Sequence, residues 1–195
     1  MKIDNVNIYG LSESIIASQF PMDTGHVANN FADLVDDLVD DLEQTLKCRQ
    51  LDLINKKTAF KLAQCKNGTG HDNFLKGIIV QFNIEYKQYW SRQVQRYNFI
   101  NFVSSQSTMH KLKSMGDKLP EYAQEKFKQF ERGEIDIDEM MDYVPMGLEL
   151  TARMTTNYLQ LKTIYLQRRN HKSKEWQYFC NWIESLPMSF LIIGK

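Results

Sequence analysis

Ile78-Ile79-Val80-Gln81-Phe82-Asn83-Ile84-Glu85-Tyr86-Lys87 alternates without a break. Ile78, Val80, Phe82, Ile84 and Tyr86 fall on one side; Ile79, Gln81, Asn83, Glu85 and Lys87 fall on the other. A period of two is the pleat of a β-strand, whose successive side chains point to opposite faces. The pattern predicts a strand over 78–86 with one face on a core. Residues 88–95 then read as a short helix, and 97–103, apolar on both faces, as a second strand. Gly68-Thr69-Gly70-His71-Asp72-Asn73 leads into this block, and Ser104-Ser105-Gln106-Ser107-Thr108-Met109-His110 leads out of it. Strand, helix, strand and then hydroxyls make this stretch the first place to seek a site.

Helical periods surround the block. Val6-Asn7-Ile8-Tyr9-Gly10 reads as a short first strand, and 12–20 as a helix stopped by Pro21. Phe31, Leu34, Val35, Leu38, Val39, Leu42 and Leu46 form one helical stripe. Asp33, Asp36, Asp37, Asp40, Asp41 and Glu43 occupy its back, which reads as solvated surface. A helical stretch over 51–65 stops at Lys66-Asn67-Gly68. Residues 121–132 predict a helix after Pro120 that Gly133 ends, and 135–141 begin another before Pro145. Leu150, Met154, Tyr158, Leu161 and Tyr165 predict one helix face, and Trp176, Phe179, Cys180 and Ile183 that of the last helix. No repeat or Pro/Ser-rich linker divides the chain, so 1–195 reads as a single domain.

Composition narrows the function. The 195 residues carry 24 Lys+Arg against 24 Asp+Glu, a formal net charge of zero. That disfavours nucleic-acid binding, which rests on neutralising phosphates. With 43% hydrophobic residues and only 4 Pro, the chain has the composition of a packed domain rather than a disordered one. Cys48, Cys65 and Cys180 form no C-x-x-C pair, which suits a reducing cytoplasm better than a disulfide framework. The opening residues lack a signal-peptide run, and the apolar 190–193 is far short of the ~20 residues of a membrane span. His26, His71, His110 and His171 show no metal-ligand spacing, so no metal is expected. No G-x-G-x-x-G or G-x-x-x-x-G-K-[ST] occurs.

Two cationic clusters remain. Arg168, Arg169, His171, Lys172 and Lys174 suit phosphate, yet in isolation they read as a solvated turn between helices. Arg92 and Arg96, four apart, are expected on one helix face with Gln93 between them, again an ordinary surface when taken alone. Ser104, Ser105, Ser107 and Thr108 can hydrogen-bond a phosphate or simply form a turn. No G-x-S-x-G elbow marks any of them as a nucleophile.

In their order along the chain these segments resemble the flavin-dependent thymidylate synthases. That family carries Gly-His-x-Ser before a strand, then R-Q-x-x-R-H-R on a helix, then S-x-R-Y, then a late helix from an Asn to an Arg. Here Gly70-His71-Asp72-Asn73, Arg92-Gln93-Val94-Gln95-Arg96-Tyr97-Asn98, Ser107-Thr108-Met109-His110 and the Asn157–Arg168 spacing of eleven stand in those places. The likeness covers roughly 68–186. It implies an α+β fold, a mixed or antiparallel sheet flanked by long helices. It also implies a homotetramer with sites shared between subunits. Gln93, Arg96, Ser107 and Arg168 match positions that hold the pyrimidine deoxynucleotide, with Arg168 also placed at the reacting ring. His71, Tyr97, Asn98 and Asn157 match positions on the FAD side.

The chain departs from the family where Tyr97 and Asn98 replace the His and Arg of R-H-R, and where Met109 and His110 replace the Arg and Tyr of S-x-R-Y. Leu159 and Lys76 stand where an arginine and an acid are expected. The resemblance implies binding of a dUMP-like nucleotide. It further implies reductive methylation with methylenetetrahydrofolate and flavin. The losses on the flavin side leave a catalytically inactive nucleotide-binding or assembly protein as the alternative.

Overall fold

The computed structural model of the chain describes residues 1–48, 54–116 and 119–194, without the side chains of 41–48, 54 and 55. The alternating stretch forms β2 (Ile79–Lys87). Val80, Phe82, Ile84 and Tyr86 are buried along it and Glu85 is exposed, as a period of two requires. With β1 (Lys2–Tyr9), β3 (Asn101–Ser105) and β4 (Glu149–Asn157) it makes a four-stranded antiparallel sheet in the order β1-β2-β4-β3. Helices accompany the sheet, so the class is α+β. β1 starts earlier than the stretch 6–10, and Asn5 within it takes a positive φ of 49°.

Two expectations change. Residues 149–157, expected as the start of a helix, are β4, where Leu150, Ala152, Met154 and Thr156 are buried in alternation. Leu150 and Met154 are four apart, an even offset that a strand face satisfies as well as a helix face. Thr151, Thr155 and Thr156 add the β-branched character that suits a pleat. The second correction concerns 97–103. Tyr97 N donates to the Val94 carbonyl at 2.9 Å, closing a turn, and the strand begins only at Asn101. Phe99 and Val103 are 61% and 57% exposed, so this border strand is not apolar-packed on both faces.

The helices follow the sequence more closely. α1 (Leu11–Ala17) is shorter than 12–20, because Pro21 enters a 3-10 turn (Phe20–Met22) at its start rather than ending a helix. α2 (His26–Asn29) precedes α3 (Phe31–Cys48), on which Leu38 is buried while Asp33, Asp36, Asp37 and Asp40 are exposed. The side chains of Leu42, Leu46, Asp41 and Glu43 lie outside the described residues. α4 (Ile54–Ala63) falls within the stretch 51–65, whose first three residues also lie outside them. α5 (Gln88–Val94), α6 (Thr108–Leu112), α7 (Glu121–Glu131) and α8 (Ile137–Asp142) follow. Asp136 starts α8 by accepting the Glu139 amide at 2.8 Å. α9 (Tyr158–Arg168), α10 (Lys174–Glu184) and α11 (Phe190–Ile193) complete the chain.

The fold has two compact units, Met1–Asn5 with Phe82–Met154, and Val6–Gln81 with Thr155–Lys195. In the first, Leu112, Leu119, Ala123, Phe127 and Met140 form a buried cluster joining α6, α7 and α8. In the second, α9 packs on α10 and α11, and its Tyr158, Leu161, Ile164 and Tyr165 are buried. The same unit holds a tight approach at Gly10, which starts α1 with φ 69°. A Cβ there would stand 2.6 Å from the Gly77 carbonyl oxygen. Gly10→Ala is therefore expected to lose more than about 1 kcal/mol, from the left-handed backbone and the collision together. An unchanged urea midpoint would contradict this.

Candidate functional site

Ser107 is the sequence-predicted site residue with a cavity around it. β3 ends at Ser105, and Gln106 then ties the chain to β4 in both directions. Its N–H donates to the Thr151 carbonyl at 2.9 Å, and its Oε1 accepts the Thr151 N–H at 3.0 Å. The extended backbone of Ser107 turns the chain into α6. Gln88 Nε2, at the start of α5, reaches Thr108 Oγ1 at 3.4 Å. A cavity of about 310 Å³ opens here, lined by Gln106, Ser107, His110, Lys111 and Ser114. Lys111 Nζ is held by Gln106 Oε1 at 3.0 Å. Among the described lining residues a hydroxyl, an imidazole and an ammonium, with no carboxylate, form a donor set for an anion.

His110 closes the stretch singled out in the sequence; Lys111, the next residue, was passed over, although a signal was present. Residues three and four beyond Ser107 return to its side once the segment is helical. The residues grouped with Ser107 by resemblance are placed differently. Gln93 lies on α5, half-buried, and Arg96 lies in the exposed turn beyond it. α5 ends at Val94, so Arg92 and Arg96 do not share a helix face as expected. Tyr97 is buried and Asn98 is exposed in the same turn. None of these five lines the Ser107 cavity.

The second unit holds His71, Asn157 and Arg168. Asn157 caps α9, its Oδ1 accepting the Gln160 amide at 2.8 Å. Arg168 is the last residue of the same helix, so the offset of eleven residues sets the two about 16 Å apart along its axis. Sequence spacing placed both on one helix; the helix keeps them at opposite ends. Arg168 is half-buried with its guanidinium carbon 4.7 Å from the Trp176 ring centre, a cation–π seat on α10. The basic turn 168–174 is thus partly anchored, its His171 ring 6.4 Å from Trp176 and its Nδ1 accepting the Ser173 amide.

Burial and then Glu184 push the Cys180 thiol up to about 11, with Arg168 acting the other way. Burial, and a 2.6 Å hydrogen bond to Glu184, push the Tyr165 hydroxyl up to about 12. Both neutral forms stabilise the fold fully below the ordinary values of 9.0 and 10.0, and that contribution is lost as pH rises toward 11 and 12. Iodoacetamide at pH 8 is accordingly expected to leave Cys180 unmodified in the folded protein. Peptide mass spectrometry showing it alkylated as fast as half-buried Cys65 would contradict the assignment.

His71 is exposed at the tip of a loop whose two ends are fastened to α9. Lys162 Nζ donates to Asp72 Oδ2 at 2.7 Å and to the Cys65 carbonyl at 2.9 Å, and Asn67 Nδ2 donates to Thr163 Oγ1 at 3.2 Å. Both charged side chains of the pair are almost wholly buried. In the sequence Asp72 stands in the polar lead-in to β2, and nothing local pairs it with Lys162. Among the described residues no group of three His, Cys, Asp or Glu is placed to hold a metal. No described helix is long and apolar enough to cross a membrane.

No family model and no curated protein matches the chain. Its fold does match solved structures. A flavin-dependent thymidylate synthase, ThyX, of Helicobacter pylori complexed with FAD and dUMP superposes with a TM-score of 0.72 over 100% of this chain and 99% of that one, at 13% identity. Another structure of ThyX from the same organism, with FAD and dUMP, gives 0.57 over 81% and 90%, at 14% identity. At such identity the likeness is one of fold. The α+β expectation holds.

Proposed function

We propose that this chain binds a pyrimidine deoxynucleotide through its phosphate at the Ser107 cavity. Ser107 Oγ, Lys111 Nζ and the His110 imidazole would donate to the phosphate oxygens, and Gln106 fixes the ammonium. The observation that supports this most is the donor set at 106–114, which has no carboxylate among the described lining residues, on a chain of this fold. The similar ThyX structure holds dUMP. Gln93 would meet the base, and Arg96 and Arg168 the pyrimidine carbonyl or the phosphate, as the sequence resemblance implies. Asn157 and Arg168 stand at opposite ends of α9. The resemblance further implies a homotetramer, in which a second copy completes a site, of a single-domain chain in the cytoplasm.

Flavin is a different matter. Of the four residues expected to hold FAD, Tyr97 is in the core and Asn157 spends its Oδ1 on the cap of α9. His71 and Asn98 are exposed, so half of the set stays open to a ligand, and no hydride or methyl transfer is derived through it. The reading favoured is a nucleotide binder that has left the methylation chemistry. The alternative, a working thymidylate synthase, predicts a yellow protein with flavin absorbance.

Calorimetry with dUMP tests the first reading. Lys111→Gln removes a charge-assisted hydrogen bond worth about 1.5–3 kcal/mol, so Kd is expected to rise on the order of 10- to 100-fold. The absence of heat with any pyrimidine nucleotide would end the proposal.

A further inference from the structure

A second cavity, of about 390 Å³, adjoins the first, and Gln106 lines both. Asn83 on β2, Ser104 and Ser105 at the end of β3, and Thr151 and Arg153 on β4 surround it, all in one compact unit. Arg153 is the ionisable residue of this lining, which contains no carboxylate. The guanidinium is not a loose surface cation. It is half-buried, and Nη1 donates to the Asn5 carbonyl at 2.7 Å and to Asn83 Oδ1 at 3.2 Å, which fixes the plane of the fork. Thr151 and Arg153, two apart on a strand, face the same way with Cα atoms about 7 Å apart.

The partition between the cavities is a single amide. Gln106 Oε1 accepts from Lys111 Nζ on one side and from the Thr151 backbone on the other, each at 3.0 Å. One oxygen thereby sets the cation of the first cavity relative to the wall of the second. The result is a pair of adjoining recesses, one with an ammonium and hydroxyls, the other with a guanidinium and hydroxyls. A monophosphate needs only one of them. A guanidinium held in place on the same face of β4 as Thr151, in a lining that includes serines of β3, is a fixed positive charge suited to a second tetrahedral oxyanion.

We infer that the Arg153 cavity is a second phosphoryl subsite, so that this chain prefers a nucleotide carrying two phosphoryl groups over the monophosphate. The inference rests on the nucleotide reading of the Ser107 cavity and adds the ligand class to it. The full chain is titrated calorimetrically with dUMP, dUDP and deoxyuridine 3′,5′-bisphosphate. One of the two doubly phosphorylated ligands is expected to bind at least tenfold tighter than dUMP; which one tells whether the phosphoryl groups are adjacent or at opposite ends of the sugar. Arg153→Gln is expected to bring that ratio to within twofold of one. Arg153 also holds Asn5, so Ser105→Ala, at an exposed hydroxyl, serves as a second variant and is expected to lower the ratio at least threefold. If dUMP binds and neither doubly phosphorylated ligand binds tighter, or if the ratio survives both substitutions, the subsite is refuted while the nucleotide reading stands. If no nucleotide binds, both fall.

Discussion

Replacing Lys162 with methionine is expected to lower Tm on the order of 10 °C. The substitution keeps the length and apolar stem of the side chain but leaves the Asp72 carboxylate without its cation, with that side chain only 2% exposed. Stranding one charge of a buried pair costs about 3–5 kcal/mol, because its hydration is gone and nothing replaces it. For a chain of this size each kcal/mol moves Tm by about 2–4 °C. The Cys65 carbonyl loses its donor in the same step. A cycle with Asp72→Asn separates the pair from the sites. The double variant is expected to recover much of the loss, since two neutral groups no longer bury a lone charge. Strictly additive losses would show that the ion pair is not what binds the loop to α9. The His71 loop is fastened through this pair, so the single variants should also speed proteolysis within 66–72.

Trp176→Ala carries the second large effect. The indole is fully buried, edge-on to Phe179 at 5.9 Å and beneath the Arg168 guanidinium at 4.7 Å. Truncating a buried tryptophan costs about 3–5 kcal/mol, from lost transfer energy and the cavity left behind. Circular dichroism melts should therefore show a fall on the order of 10 °C. Trp176→Phe retains a ring and should lose less than half as much. If alanine and phenylalanine behave alike, the ring does not seat the α9–α10 contact. Arg168 would lose its platform too, which links this core position to the basic turn without any direct ligand contact.

These two residues show what a sequence reveals and what it hides. Trp176 was legible, because Phe179, Cys180 and Ile183 repeat around it with the period of a helix face. β2 was legible for the same reason at a period of two. β4 was not, because Leu150 and Met154 satisfy both periods and Tyr158 beyond them belongs to a true helix. The pairing of Asp72 with Lys162 spans ninety residues, and local patterns carry no information at that range. Ser107 and His110 both stood in the stretch singled out from the sequence, while Lys111 became visible only when α6 was seen to be helical and a cavity was found beside it. Arg153 was hidden in a stretch taken for the wrong element. A positive residue on an expected helix surface attracts no notice; on a strand facing Asn83 and two serines it does.

The bend at Asn5 has a consequence for how the molecule behaves in a crowd. β1 and β3 are the borders of the sheet, and an open border is where a stranger's backbone can dock and begin a fibre. Midway along β1 the left-handed residue breaks the regular ladder, and its carbonyl is already occupied by Arg153. An arriving strand finds the rungs interrupted there, so this stretch of the rim is a poor template for fibre growth.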